Sequence, residues 1–159
     1  MQNIFKKTLL AAATATLLAG TAYAGGHEEK VGVILGFTGP IESLTPTMTD
    51  SAELAFTEAS NSGLLLDGKV VVAVRANSTG VDSAAATAAA ERLVNSDNVV
   101  AIMGADCSGV TGAIAKNVGA PNGVAMVSPS ATSPGLSAIE DNGVFFRTAP
   151  SDARQGVVL

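Results

Sequence analysis

The chain has 159 residues, with 9 Lys+Arg against 14 Asp+Glu and a net charge of −5. It has no Trp and a single Tyr, so it lacks the stacking aromatics as well as the clustered basic residues that nucleic-acid binding needs. An acidic chain is also poorly suited to an anionic membrane surface.

The first predicted element stands apart from the fold. "MQNIFKKTLLAAATATLLAGTAYAGG" opens with Lys6 and Lys7, continues through an apolar run from Thr8 to Leu18, and ends on the small residues Ala22 and Ala24. That order is the three-part plan of a secretory signal peptide, over residues 1–24, and the run is too short for a membrane span. An amphipathic surface helix is the alternative, but no charge follows Lys7. No cysteine follows "LLAG", so a lipid-anchored product is not expected. Cleavage removes two lysines and no acids, taking the net charge from −5 to −7. The expected product, residues 25–159, is exported in soluble form, is not inserted in the membrane, and fits one modest domain.

"KVGVILGF" (30–37) is an almost continuous apolar run, as in a strand buried on both faces. After the loop "TGPIESLTP", Met48, Ala52, Ala55, Phe56 and Ala59 recur at helical spacing, predicting a helix over 46–61 that "NSG" stops. "KVVVAVRA" (69–76) predicts a second strand. The loop "NSTGVDS" follows, and Asp82 or Ser83 is placed to cap an alanine-rich helix over 83–96. "NVVAIMG" (98–104) predicts a third strand, "VTGAIAKNV" a helix closed by "GAPNG", and "VAMVS" (124–128) a fourth strand. The loop "PSATSPGLS" leads to a fifth strand, "GVFFRTA" (143–149). "SDARQGVVL" starts another helix, with Ser151 as cap. Because this last helix stops after two turns without a breaker, the sequence is expected to be the N-terminal part of a longer protein.

Strict alternation of strands and helices predicts an α/β fold: an open parallel sheet, Rossmann-like, with right-handed crossovers and helices on both faces. Ligands of such sheets sit outside the carboxyl ends of the strands. The loops leaving those ends, "GFTGP", "NSTGVD", "GADCSG" and "SPSATSP", are rich in Gly, Ser and Thr. The opposite loops are plain helix stops.

Within "GADCSGVTG" (104–112) a helix is expected to begin near Ser108 or Gly109. Its first amides have no intrahelical partner and carry partial positive charge, which favours a small anion such as a carboxylate. Ser108 either adds a hydroxyl to such a site or is a simple helix cap. In "SPSATSP", two prolines stiffen a loop in which Ser130, Ala131 and Thr132 can present a carbonyl, an amide and a hydroxyl to one centre; the alternative is an ordinary rigid turn. Catalysis is poorly supported. Cys107 is the only cysteine, and a nucleophile needs a base in reach, yet the only histidine, His27, lies at the new N-terminus. No GxSxG elbow surrounds Ser108, and there is no Walker loop or GxGxxG. One Cys and one distant His give no metal-ligand spacing. No cofactor is implied.

The motifs "VGVILGFTGP…LAFTEASNSG", "AAAERLVNSDNVVAIMGADCSGVTGAIA", "VAMVSPSATSPGLS" and "FFRTAPSDARQG" together resemble the type I periplasmic binding proteins. They resemble more narrowly the leucine/isoleucine/valine-binding group of ABC transporter receptors. The resemblance covers residues 30–159. It implies a periplasmic, two-lobed receptor that closes on a small amino-acid-like ligand and delivers it to a membrane permease, and it is not an enzyme. Residues 25–159 would then supply most of the first lobe and none of the second. Carried over by motif, Ser108 would hold a ligand carboxylate, Ser130, Ala131 and Thr132 would bind carboxylate and ammonium, and Leu44 would wall the side-chain pocket. In many relatives the cysteine before the binding serine pairs with one in the loop after the second strand. Gly80 and Val81 stand there in this chain, so Cys107 is expected to be a free thiol packed under the loop. The first loop is smaller and more apolar than in typical leucine binders, so the ligand need not be a branched-chain amino acid. Two alternatives are a ligand-sensing subunit of a receptor or regulator, and an exported hydrolase using Cys107 or Ser108.

Overall fold

A computed structural model describes residues 28–65 and 68–158. The predicted signal segment, 1–24, and His27 lie outside the described residues. Strands β1 (Glu28–Leu35), β2 (Val70–Asn77), β3 (Ala101–Gly104), β4 (Ala125–Ser128) and β5 (Phe145–Arg147) form one sheet in the order β2-β1-β3-β4-β5. Every pairing is parallel. Helices α1 (Thr45–Asn61), α2 (Ser83–Asn95) and α3 (Ser108–Ile114) connect the first four strands.

The register explains the burial. Paired residues of a parallel sheet share a face, so Ile34, Gly104 and their neighbours Ile102 and Met126 point one way. With Leu93 of α2 and Val110 and Ile114 of α3 they form the main core. Ile34, Leu93, Ile102, Ile114 and Met126 are each at most 1% exposed, and burial of such a side chain contributes about 1.5–3 kcal/mol. Val33, Met103, Val127 and Phe146 follow one another across β1, β3, β4 and β5 on the other face. There α1 packs on β1 and β2, burying Val33 and Leu35 with its own Thr45 and Thr49. Val127 and Phe146 stay 40% and 57% exposed. An apolar groove of about 480 Å³ opens between α1 and this part of the sheet, lined by Met48, Ala52, Phe56, Met103 and Val127 among others. The sheet thus carries helices on both faces, as expected, with the α1 face covered over β1 and β2.

Three boundaries depart from the sequence expectation. The third strand begins at Ala101 rather than 98, because Val99 N donates to Leu93 O (3.1 Å) and Asn98 turns at φ +57°, binding this segment to the end of α2. The fifth strand shrinks to Phe145–Arg147, since Asp141 to Gly143 form a turn with positive φ at Asn142 and Gly143. "GAPNG" stops the helix only at its last residue. A wider, π-helical turn over Ala115–Gly119 continues from α3 into α4 (Ala120–Asn122), which accommodates Pro121, a residue with no N–H to donate. Gly123, left-handed at φ +63°, ends it. Asp82 caps α2 as expected, accepting the amides of Ala84 (2.9 Å) and Ala85 (3.0 Å). Ser151 accepts from Ala153 N (3.3 Å) at the turn Asp152–Arg154 that precedes α5 (Gln155–Val158).

Candidate functional site

The strand order reverses between β1 and β3, so the loops after these two strands leave toward opposite faces. That reversal, at the carboxyl edge, is the usual place for a ligand in an open parallel sheet. The loop 104–107 and the start of α3 lie at it. Cys107 is the residue before the helix, in extended conformation, and α3 begins at Ser108. The first i→i−4 bond of the helix runs from Thr111 N to Cys107 O (3.0 Å), which leaves the amides of Ser108, Gly109 and Val110 without an intrahelical partner.

Ser108 does more than begin the helix. Its Oγ accepts the amides of Thr132 (3.2 Å) and Ser133 (3.1 Å) from the loop after β4. A hydroxyl has two acceptor sites and one proton. With both acceptor sites engaged, the Ser108 hydroxyl can only donate to anything else that approaches. The "SPSATSP" loop is held from beneath by further bonds. Ser128 Oγ donates to Ala105 O and accepts from Ala131 N (3.0 Å). The Arg147 guanidinium on β5 donates to Ala131 O (3.3 Å), Ser133 O (2.8 Å) and Ser137 Oγ. Asp152 N donates to Thr132 O (3.0 Å). This loop is therefore built as a fixed platform.

The structure brings Ser108, Ser130, Ala131 and Thr132 into one bonded cluster, with two refinements of the expected roles. Ala131 is fully buried, with its amide engaged by Ser128 and its carbonyl by Arg147, so it holds the loop from beneath and, contrary to expectation, presents no group to a ligand. Ser130 Oγ donates to Asp106 O (3.0 Å), joining the two loops a second time. Leu44 stands on the loop after β1, immediately before α1, and is 59% exposed.

Cys107 is a half-buried free thiol. A Cβ at Gly80, where relatives are expected to carry a partner, would stand 3.3 Å from its Sγ. Burial, and secondarily the charge of Asp106, push the thiol pKa up. A cysteine nucleophile needs the opposite shift. Among the described residues, no group of three or more His, Cys, Asp or Glu is placed to hold a metal ion, and no helix is long and apolar enough to cross a membrane.

Asp106, Ser78, Ser128 and Arg147 were not legible as site residues. Asp106 is 2% exposed. Its Oδ2 accepts Gly36 N at 2.6 Å, and its Oδ1 accepts Cys107 N (2.8 Å) and Ser78 Oγ (3.3 Å). The one signal available was an acid set among small residues in a strand-end loop.

Comparison with known proteins agrees with this fold. A family described as "Periplasmic binding protein" matches residues 28–159. The Leu/Ile/Val-binding protein BraC3 of Rhizobium johnstonii is 34% identical over 126 residues, 78% of this chain and 33% of that protein. Among solved structures, the branched-chain amino acid transporter substrate binding protein LivJ of Streptococcus pneumoniae, in complex with isoleucine, superposes with a TM-score of 0.70 at 28% identity. It is matched over 79% of this chain and 34% of its own. The leucine binding protein LivK of Thermotoga maritima gives 0.70 at 28% identity, over 82% of this chain and 35% of its own. The chain spans about a third of the length of these relatives.

Proposed function

The chain belongs to the periplasmic binding protein family, and from that premise we propose that it is the ligand-capturing first lobe of an exported solute-binding component of an ABC importer. The ligand is a small amino-acid-like molecule or related carboxylate, held between this lobe and a second one and passed to a membrane permease. The observation that carries this is the Ser108 hydroxyl. Two amides of the neighbouring loop occupy its acceptor sites, so its proton is left for an incoming oxygen. The unpartnered amides at the start of α3 add donors beside it. A carboxylate or carbonyl oxygen is the complementary group. Thr132 Oγ1 offers an acceptor to a ligand ammonium, and Leu44 borders its side chain.

The role is one of binding and not of catalysis. The Cys107 pKa is raised by burial, away from the thiolate, and among the described residues no imidazole or carboxylate accepts the Ser108 proton. Relatives named for leucine, isoleucine and valine support an amino-acid ligand. Calorimetry of the full-length protein against the twenty L-amino acids tests this. Saturable heat is expected for at least one of them, and Ser108→Ala should weaken it roughly 10- to 150-fold, the loss of a hydrogen bond to a charged group. Unchanged affinity in that variant removes Ser108 from the site.

A further inference from the structure

We infer that Asp106 is the positioning residue of this site, joining all four loops at the strand ends and so fixing where Ser108 and the Thr132 amide stand. The inference rests on the binding role proposed above. Four bonds carry it. The carboxylate accepts from Gly36 N (2.6 Å) after β1, from Ser78 Oγ (3.3 Å) after β2 and from Cys107 N (2.8 Å) after β3. Its own carbonyl accepts from Ser130 Oγ (3.0 Å) after β4. β1 and β3 flank the point where the strand order reverses, so the Gly36 bond spans that point.

The surroundings are shaped for a carboxylate. A Cβ at Gly36 would stand 3.1 Å from Asp106 Oδ2, so a larger residue there would crowd the oxygen from its amide. Ser78 is fully buried, and its own amide is fixed to Leu35 O (2.8 Å). The partners on both oxygens are donors, two of them backbone amides that cannot reverse. An amide side chain has one acceptor oxygen and one NH₂, so asparagine would turn a donor toward either Gly36 N or Cys107 N. Asp106 is 2% exposed with both oxygens committed, so it touches no ligand; it acts through Cys107, one residue before Ser108, and Ser130, two residues before Thr132.

The test pairs Asp106→Asn with Asp141→Asn. Asp141 also accepts backbone amides, from Gly143 and Phe145, but at the opposite edge of the sheet. Two measurements are made on the full-length protein: affinity for the twenty L-amino acids by calorimetry, and hydrogen exchange of the Thr132 and Ser133 amides. Asp106→Asn should speed exchange at both amides and weaken binding roughly tenfold or more, under conditions where the variant is fully folded. Asp141→Asn should lower stability while leaving both readouts at wild-type values. If Asp106→Asn lowers stability with unchanged exchange and unchanged affinity, Asp106 is merely a buried stabilising residue and the inference falls. If wild-type protein binds no amino acid, the binding role fails, and the exchange rates alone still decide positioning. Should Asp106→Asn not fold, Ser78→Ala, which removes only the 3.3 Å arm, is read in the same way.

Discussion

The Cys107 sulfur faces Gly80, close enough that a Cβ at that glycine would stand 3.3 Å from it. This is near the separation a disulfide needs. Gly80→Cys is therefore expected to oxidise with Cys107 in air. Thiol titration and mass spectrometry should find two fewer free thiols and a loss of two mass units. Gly80 has φ +76°, so the reduced variant should be less stable than wild type and oxidation should recover part of that loss. Two persistent free thiols would show that the two loops do not meet as described.

Cys107 alone should be a slow nucleophile. Burial and then the Asp106 charge raise its pKa, so less thiolate is present near neutrality than for an ordinary cysteine. Alkylation by iodoacetamide at pH 7.5 should run slower than for free cysteine and accelerate on unfolding. The sign for stability follows: with the folded pKa above the unfolded one, stability is full below the ordinary thiol range. It falls as pH rises between the unfolded and folded values. Cys107→Ser should flatten that alkaline decline in denaturant titrations.

Asp141 behaves in the opposite sense. Its carboxylate accepts the amides of Gly143 and Phe145, which hold its pKa below the usual range. Its contribution is present above the unfolded carboxylate pKa and disappears as pH falls through the lower folded value. Asp141→Asn should reduce stability at pH 7 more than at pH 3. An equal loss at both would mean that the turn does not depend on the charge.

Removing the Ser108 hydroxyl has a structural cost beside the binding one. The amides of Thr132 and Ser133 lose their acceptor in a partly buried setting. Ser108→Ala should lower stability by about 1–2 kcal/mol, measured as a shift in the denaturant midpoint at constant m-value.

Gly104→Ala should be far more damaging. Gly104 lies at φ +132°, and a Cβ there would stand 2.1 Å from Ile34 O across the β3–β1 pair. β1 cannot retreat without breaking its register with β3. The variant is expected to accumulate as insoluble protein; a soluble product with a wild-type melting curve would contradict the tight approach of these strands.

How much of this was legible in the sequence depends on the range of the interactions involved. The strand–helix alternation was readable because Val33, Ile34 and Leu35 need burial on both faces, and a continuous apolar run records that locally. Asp82 as a cap was readable for the same reason, since its partners are two and three residues away. The start of β3 was misplaced because the amide of Val99 is captured by Leu93, a competition that apolar content does not reveal. The turn over Ala115–Gly119 lies within an unbroken helical pattern that gave no sign of a change in pitch. Ser108 was singled out by its place at a helix start, but its link to Thr132 and Ser133 joins positions 24 and 25 residues apart. Asp106 has no local signature, because its partners Gly36 and Ser78 are 70 and 28 residues away and are adjacent only after the sheet is assembled.

The row from Val33 through Met103 and Val127 to Phe146 also governs how the protein behaves in a tube. Its outer members, at 40% and 57% exposure, make a sticky stripe on an otherwise acidic particle. Like charge holds such particles apart only over the Debye length, about 10 Å at 0.1 M salt. Solutions of the chain should therefore scatter more light as salt is added, the reverse of salting in, and Phe146→Glu, which removes the apolar ring and adds like charge, should move that onset to higher ionic strength.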